Sequence, residues 1–150
     1  MKRTMKTSAK AIISVLLILA LAVCLVCSLV ACNKPDEQTD VWENAKYSSQ
    51  TELGDGERAL VVEVTADEKT VTFTVKTDRA TVGEALLDCE LISGEVGQYG
   101  LYVKEVNGIV ADYDVDGAYW AFYVNGEYAM TGVDTTEITE GVVYQLVRSR

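Results

Sequence analysis

The stretch G-A-Y-W-A-F-Y-V-N-G-E-Y-A-M, residues 117–130, decides the fold because it specifies two strands joined by a tight hairpin turn. The dipeptide Asn125-Gly126 accepts the two positive φ angles of a type I′ turn, whose twist matches that of the flanking strands. The aromatic and apolar run before the turn has the composition of a strand. We therefore predict a β-hairpin here and take it as the centre of a folded domain.

Alternation along the first strand of this hairpin divides its side chains into two groups. The first group is apolar apart from one indole N–H and consists of Trp120, Phe122 and Val124. The second group consists of Tyr119, Ala121 and Tyr123. We predict that the first group faces the core and that the two tyrosine rings point to the other side of the sheet.

The domain around the hairpin is predicted to be α+β, with a mixed sheet and one helix, over residues 59–150. Strand patterns fall at residues 59–65, 70–76, 101–106, 109–111 and 142–147, and a second turn is Asn107-Gly108. The run Thr81-Val82-Gly83-Glu84 has the pattern of a capping box, and an apolar stripe at helical spacing follows it, which predicts a helix ending by Ile92. One helix cannot cover both faces of such a sheet, so one face remains for solvent or a ligand.

Charge and composition exclude several classes of function. The chain has 13 basic residues, 23 acidic residues and no histidine. Four of the bases and none of the acids precede Cys32, so the part from Cys32 onward has nine bases against 23 acids, a formal charge of −14. Such an acidic surface argues against binding nucleic acid. The lack of histidine excludes Ser–His and Cys–His nucleophile pairs, and we predict that the protein is not an enzyme.

The N-terminal segment has the organisation of an export signal. Residues 1–10 are basic and residues 11–31 are apolar without a charge. The quartet Leu29-Val30-Ala31-Cys32 resembles the lipobox of bacterial lipoproteins. The resemblance implies that residues 1–31 are a lipoprotein signal peptide and that Cys32 carries the lipid, which anchors the protein at the outer face of the cytoplasmic membrane. An uncleaved transmembrane helix is the alternative, since roughly 20 apolar residues span a bilayer.

Residues 32–58 are predicted to form a polar tether, because they show no hydrophobic period. Trp42 and Tyr47 are the only aromatic side chains of this segment, and we expect them to dock on the domain. Cys89 is the only cysteine that remains after removal of the signal peptide and lipidation of Cys32, so an intramolecular disulfide is excluded. We expect Cys89 to be a buried, inert thiol on the helical stripe.

Four elements in order resemble one known family. They are T-V-G-E-A-L-L, G-L-Y-V-K-E-V-N-G, Y-W-A-F-Y-V-N-G and G-V-D-T-T-E-I-T-E-G-V-V-Y, and together they run from Thr81 to Tyr144. They are similar to the domain at the C-terminus of transcobalamin and intrinsic factor, which occurs alone in bacterial surface lipoproteins as the domain DUF4430. The resemblance implies a β-grasp-like sheet and non-enzymatic binding of a small ligand. In the animal proteins that ligand is cobalamin, held between this domain and a helical domain.

Five side chains of the hairpin are the predicted ligand-binding residues, because aromatic rings give a large contact area and methionine adapts to irregular shapes. They are Tyr119, Trp120, Tyr123, Tyr128 and Met130. The alternative for Trp120 and Phe122 is a purely structural role in the core. A flat corrinoid rimmed by amides would suit the predicted aromatic surface.

The acidic run Asp112-Tyr-Asp-Val-Asp-Gly117 matches the start of a calcium-binding loop. Tyr123 stands at the twelfth position, where such a loop requires a bidentate glutamate. We therefore predict an acidic turn over residues 112–117 and assign no metal to it.

Taken together, these features predict a cell-surface lipoprotein that binds a small ligand, such as cobalamin or another corrinoid, as an accessory to an uptake transporter for a micronutrient. The alternative from another class is a non-enzymatic module for protein–protein interaction, in which an exposed sheet edge or the tyrosine face contacts a partner protein.

Overall fold

Residues 40–150, the part of the chain that the computed structural model describes, contain nine strands, two α-helices and one 3-10 helix. The strands are β1 (Thr51–Gly54), β2 (Arg58–Ala66), β3 (Lys69–Thr77), β4 (Ile92–Gly97), β5 (Gly100–Val106), β6 (Ile109–Val110), β7 (Tyr119–Val124), β8 (Glu127–Tyr128) and β9 (Val143–Ser149). The helices are the 3-10 helix Val41–Asn44, α1 (Val82–Asp88) and α2 (Tyr113–Asp116). None of the helices in this part of the chain has the length and apolar character needed to cross a membrane.

The predicted signal peptide, residues 1–31, the predicted lipidation site Cys32 and the first residues of the predicted tether lie outside the described residues.

Six strands form a mixed sheet in the order β1-β3-β2-β9-β7-β8. The pairs β1–β3 and β2–β9 are parallel, whereas β2–β3, β9–β7 and β7–β8 are antiparallel. Strands β4, β5 and β6 form a second, antiparallel sheet. The prediction of a mixed sheet with few helices is confirmed, with two α-helices in place of the single helix expected.

Both Asn-Gly dipeptides form the predicted turns. Asn125 and Gly126 have φ angles of 51° and 82°, and Asn107 and Gly108 have φ angles of 55° and 81°. Two successive positive φ angles are what a type I′ turn requires. These turns fix the register of β7 with β8 and of β5 with β6.

Helix α1 begins with the predicted capping box. The Thr81 hydroxyl accepts a hydrogen bond from the Glu84 N–H, and a Glu84 carboxylate oxygen accepts one from the Thr81 N–H, each over 3.3 Å. The apolar stripe of the helix is buried at Val82, Ala85 and Leu86. The helix ends at Asp88, within the predicted limit of Ile92; Glu90 has a φ of 53° and Ile92 begins β4.

Strand β4 was not predicted, because Ser93-Gly94 has the composition of a turn. In the structure Gly94 lies so close to the neighbouring strand that an added Cβ would stand 2.1 Å from the backbone oxygen of Tyr102. The pairing of β4 with β5 also shifts register between Ser93 and Gly94. A glycine inside a strand marks such a bulge or close approach.

A single hydrophobic core lies between one face of the six-stranded sheet, helix α1 and the smaller sheet. Its largest fully buried side chains come from several of these elements and include Tyr144, Phe73, Leu60, Leu86 and Ile109. Trp120 and Phe122 belong to the same cluster, and Val124 packs against it. The predicted core face of the central hairpin is therefore confirmed.

The folded unit begins before residue 59, so residues 40–58 are not the flexible tether that their polar composition indicated. Trp42 is buried, with 8% of its surface exposed, and belongs to the core. Tyr47 packs against the core edge-on to the ring of Phe73, and β1 adds a parallel edge strand to β3. The expectation that the two aromatic residues dock on the domain is confirmed. Their burial, together with the backbone pairing of β1, orders a segment that has no hydrophobic period of its own.

Candidate functional site

The candidate site is a cleft between β5, the core face of β7 and the segment formed by residues 129–133. Its volume is about 330 Å³. Apolar and aromatic side chains dominate the lining, which consists of Leu101, Tyr102, Val103, Trp120, Phe122, Tyr128, Ala129, Met130, Thr131, Gly132, Val133 and Leu146. None of these side chains is charged. Concave apolar sites with few polar groups are typical of small-molecule binding.

Backbone hydrogen bonds hold the outer wall of the cleft, residues 129–133, at both ends. The Ala129 N–H donates to the Phe122 oxygen over 2.9 Å, directly after the hairpin. The Gly83 N–H donates to the Val133 oxygen over 2.7 Å, which ties the wall to helix α1. Between these two points the wall carries exposed side chains, including that of Met130.

The rim of the cleft exposes large apolar side chains. Met130 is 95% exposed, and Tyr128 and Tyr102 are also exposed. A flexible methionine beside a cleft can adapt to the shape of a bound molecule. These three side chains would lose contact with water if a ligand filled the cleft, so burial of the rim would contribute to binding.

Trp120 carries an orphaned hydrogen-bond donor in the wall of the cleft. The residue is 8% exposed, and its Nε1 is buried without a hydrogen-bond partner among residues 40–150. Buried indole N–H groups are usually paired, and leaving one unpaired costs about 1–3 kcal/mol. Trp42 shows the usual situation, since its Nε1 donates to the Ala66 oxygen over 3.0 Å.

The structure places three of the five predicted ligand-binding residues beside the cleft and two away from it. Trp120, Tyr128 and Met130 border the cleft. Tyr119 and Tyr123 do not, because they alternate with Trp120 along β7 and lie on the opposite face. The ring of Tyr123 packs edge-on against that of Tyr128, with centroids 5.4 Å apart.

The residues of β5 that line one wall of the cleft were not among the predicted ligand-binding residues. Leu101, Tyr102 and Val103 lie on a strand that was predicted correctly, but nothing in their spacing connects them to the hairpin 20 residues later. The available signal was the second element of the family resemblance, which contains all three residues. Val133 was missed for a similar reason, since it lies in a stretch without a period.

The acidic run that resembles a calcium loop is used for local structure. It forms α2, whose N-cap is Asp112 and whose C-cap is Gly117. Asp116 Oδ1 accepts hydrogen bonds from the N–H groups of Asp112 and Ala118, and its Oδ2 pairs with the guanidinium of Arg148. Within residues 40–150, no group of three or more cysteine or acidic side chains is placed to hold a metal ion.

The pKa of Asp116 is lowered as a result of these contacts. Desolvation acts to raise the pKa, but the hydrogen bonds from Ala118 and Asp112 and the charge of Arg148 together outweigh it. The Arg148 side chain is only 4% exposed, so the carboxylate serves as the counter-ion of a buried guanidinium. These contacts account for the lowered pKa of the Asp116 carboxylate, and the explanation does not need a bound metal ion.

Cys89 is a half-buried free thiol beside helix α1. Burial raises its pKa, with smaller opposing contributions from backbone hydrogen bonds. Its Sγ–H donates to the Leu86 oxygen over 3.5 Å. A thiol with a raised pKa is a poor nucleophile, which is consistent with the predicted inert role.

Comparison with known proteins identifies the family. The family described as "Domain of unknown function (DUF4430)" matches residues 80–143, which contain the outer wall of the cleft and all of β7. A protein from Ruminococcus gnavus ATCC 29149, described as a candidate metal-binding protein, has 30% sequence identity and a TM-score of 0.59 over 63% of this chain and 98% of its own. The chain therefore belongs to the DUF4430 family.

Haptocorrin in complex with Cbi is a more distant structural neighbour, with 18% identity and a TM-score of 0.49, and the match covers 65% of this chain and 26% of haptocorrin. No curated protein matches the chain.

Proposed function

We propose that this protein is a lipid-anchored, non-enzymatic binding protein that holds a small molecule in the cleft and delivers it to an uptake transporter. The observation that carries the proposal is the orphaned N–H of the buried Trp120 in the wall of a cleft lined by uncharged, largely apolar side chains. Such a combination of apolar contact area with one unused polar group is typical of ligand sites. The lipid on Cys32 would place the protein at the outer face of the cytoplasmic membrane.

The ligand that we propose is a corrinoid or a molecule of similar character. Support comes from the similarity of the four sequence elements to the cobalamin-binding proteins. Interpretation of the mixed sheet as β-grasp-like also supports it. The cleft volume of about 330 Å³ is at the lower end for ligand sites, so it would hold one edge of a large ligand. The description of the Ruminococcus relative as a candidate metal-binding protein supports a binding role in general.

A titration of the soluble fragment 33–150 with cobalamin and cobinamide, followed by calorimetry, tests the proposal. The fragment is suitable because residues 39–150 form one compact unit with its own core. We expect saturable heat with at least one compound. Absence of heat with both compounds at millimolar concentration would contradict corrinoid binding by this chain alone.

A pair of matched variants tests whether binding occurs in the cleft. Met130→Ser removes an exposed apolar side chain at the rim, and Val115→Ser removes one that is 83% exposed on α2 and does not line the cleft. We expect Met130→Ser to weaken binding about 3–10-fold, because the thioether is buried by the ligand. Val115→Ser should bind as the wild type does. Equal affinities of the two variants would place the ligand elsewhere.

A second candidate function, protein–protein interaction, is favoured by the tip of the β4–β5 hairpin. Tyr99 is 93% exposed and Val96 is 85% exposed there. Exposed aromatic and apolar side chains on a protruding turn are suited to contact a partner protein. Cross-linking in intact cells through a photoreactive residue at position 99 would identify such a partner. A ligand titration without heat, combined with a specific cross-linked protein, would favour this function over ligand binding.

A further inference from the structure

Three buried side-chain polar atoms in residues 40–150 have no hydrogen-bond partner, and two of them belong to a residue that lines the cleft and to the residue that follows its outer wall. They are Trp120 Nε1, Asp134 Oδ1 and Gln145 Oε1. Trp120 lines the cleft directly. Asp134 follows Val133 of the outer wall, and its Oδ2 accepts a hydrogen bond from the Leu101 N–H over 3.1 Å, so the carboxylate bridges both walls. Gln145 lies on the opposite face of the sheet, beside Glu63.

The indole N–H of Trp120 has no acceptor among residues 40–150. An indole nitrogen donates only, so no rearrangement of protons can satisfy it. The N–H is shielded from solvent, and the residues that line the cleft leave it without an acceptor. A ligand that displaces the atoms covering Nε1 and places an oxygen acceptor beside it would restore the hydrogen bond that the indole lost on folding.

The charge near the cleft determines whether a neutral or an anionic ligand can bind there. No lining residue is basic, and no basic side chain of residues 40–150 forms an ion pair with Asp134. The Asp134 carboxylate lies directly behind Gly132, where an added Cβ would stand 2.6 Å from Oδ1. An anionic ligand would therefore lose water next to an uncompensated negative charge, which is unfavourable in a site of low dielectric.

We infer that the cleft selects a neutral ligand that carries a carbonyl oxygen, with Trp120 Nε1 as the donor to that oxygen and Asp134 as the residue that excludes anions. The inference rests on the proposed function of the cleft and adds the chemical class of the ligand. Carboxamides fit this class best, because they supply a neutral oxygen acceptor for Trp120 together with N–H donors that suit a carboxylate such as Asp134.

Nuclear magnetic resonance of nitrogen-labelled fragment 33–150 tests the inference. The sequence contains two tryptophans, so two indole N–H signals are expected, and Trp120→Phe assigns them. The probes are naphthylacetamide and naphthylacetate, which have the same apolar body and differ in charge. We expect the amide to move the Trp120 signal downfield and to bind about 2–10-fold more tightly than the acid. The signal of Trp42, already bonded to Ala66, should not move.

Two variants separate the roles of the two residues. Asp134→Asn keeps an oxygen that can accept from Leu101 and removes the charge, so it should reduce the preference for the amide over the acid. Trp120→Phe keeps an aromatic ring in the core and removes the donor, so it should weaken amide binding about 2–10-fold. Trp120→Phe could disturb folding. Two further measurements do not depend on that variant: the shift of the Trp120 indole signal in the wild type, and the preference of Asp134→Asn for the amide over the acid.

The outcomes distinguish the inference from the proposed function. If both probes bind the wild type equally, or cobinamide binds without moving the Trp120 signal, the inference is overturned and ligand binding stands. If Asp134→Asn leaves the preference unchanged, the role of Asp134 is overturned. If neither probe nor either corrinoid changes any signal of the cleft, the proposed function fails together with the inference.

Discussion

Trp42 Nε1 donates a hydrogen bond to the backbone oxygen of Ala66 over 3.0 Å, so the 3-10 helix near the start of the folded unit is fixed to the last residue of β2. The Lys69 ammonium lies 4.5 Å from the centre of the same indole ring, at the start of β3. Trp42 thus covers the turn between β2 and β3 and closes one end of the core.

The first prediction follows from this contact. A fragment of residues 59–150 lacks Trp42 and β1, so it should unfold at a lower urea concentration than a fragment of residues 40–150. Within the longer fragment, Trp42→Ala should lower the free energy of unfolding by about 3–5 kcal/mol, because it leaves a large cavity. Denaturation in urea measures both effects. Equal stability of the two fragments would show that residues 40–58 do not contribute to the core.

The second prediction concerns Gly83 in helix α1. Helix propensity alone expects Gly83→Ala to stabilise a helix by up to about 1 kcal/mol. In the structure, an added Cβ would lie 2.7 Å from the Cα of Asp134 and 3.0 Å from the carbonyl carbon of Val133. We therefore expect Gly83→Ala to destabilise the protein by about 1–3 kcal/mol.

Gly97→Ala is the matched control for Gly83→Ala, since an added Cβ there meets only the Gly100 oxygen at 3.9 Å. Its free energy of unfolding should remain within about 0.5 kcal/mol of the wild type. A gain of stability in Gly83→Ala would contradict the close packing of α1 against the outer wall of the cleft.

The third prediction is a pH dependence due to Asp116. Its pKa is lower in the folded state than the ordinary value of 3.8, so its contribution to stability is fully present above that pH. The contribution is lost as the pH falls from 3.8 through the folded-state pKa. Asp116→Asn should cost about 0.5–2 kcal/mol near neutral pH, because the buried guanidinium of Arg148 loses its counter-ion.

Thermal unfolding of wild type and Asp116→Asn between pH 7 and pH 2.5 measures this dependence. The difference between their melting temperatures should be constant at neutral pH and should shrink below pH 3.8. Asp114→Asn is the control, because that side chain is exposed on α2. A difference that persists unchanged at the acid end would mean that Asp116 acts by shape and not by charge.

The fourth prediction concerns Cys89. Because burial raises its pKa, alkylation by iodoacetamide at pH 8 should be several-fold slower in the folded fragment 33–150 than in the same fragment unfolded in urea. Mass spectrometry measures the rate, and Cys89→Ala gives the background. Equal rates in the folded and unfolded protein would identify Cys89 as an accessible thiol.

Local signals in the sequence predicted most of the large sheet and the helix. Asn125-Gly126 and the alternation around Trp120 indicate a hairpin and its core face, because both depend only on neighbouring residues. The capping box at Thr81 is equally local. By contrast, β1 and Trp42 are ordered by contacts with β3 and Ala66, and no period within residues 40–58 shows this.

The candidate site was predicted only in part for the same reason. Trp120, Tyr128 and Met130 were found because they lie on the hairpin itself. Tyr119 and Tyr123 were grouped with them as aromatic neighbours, although alternation places them on the opposite face of β7. The β5 wall and the position of Asp134 beside it arise when β5 meets residues 129–134, and the spacing of apolar residues along the sequence does not indicate that contact.

The central place of β9 has a consequence for how the chain reaches its native state. Val143–Ser149 lies between β2 and β7, and Val61 pairs with Val143 across more than 80 residues of sequence. Until those last strand residues are available, β2 and β7 both present unpaired edges, which are prone to associate with other chains. Long-range pairing of this kind also folds slowly. A newly made chain therefore passes through an interval in which these edges make it prone to aggregation.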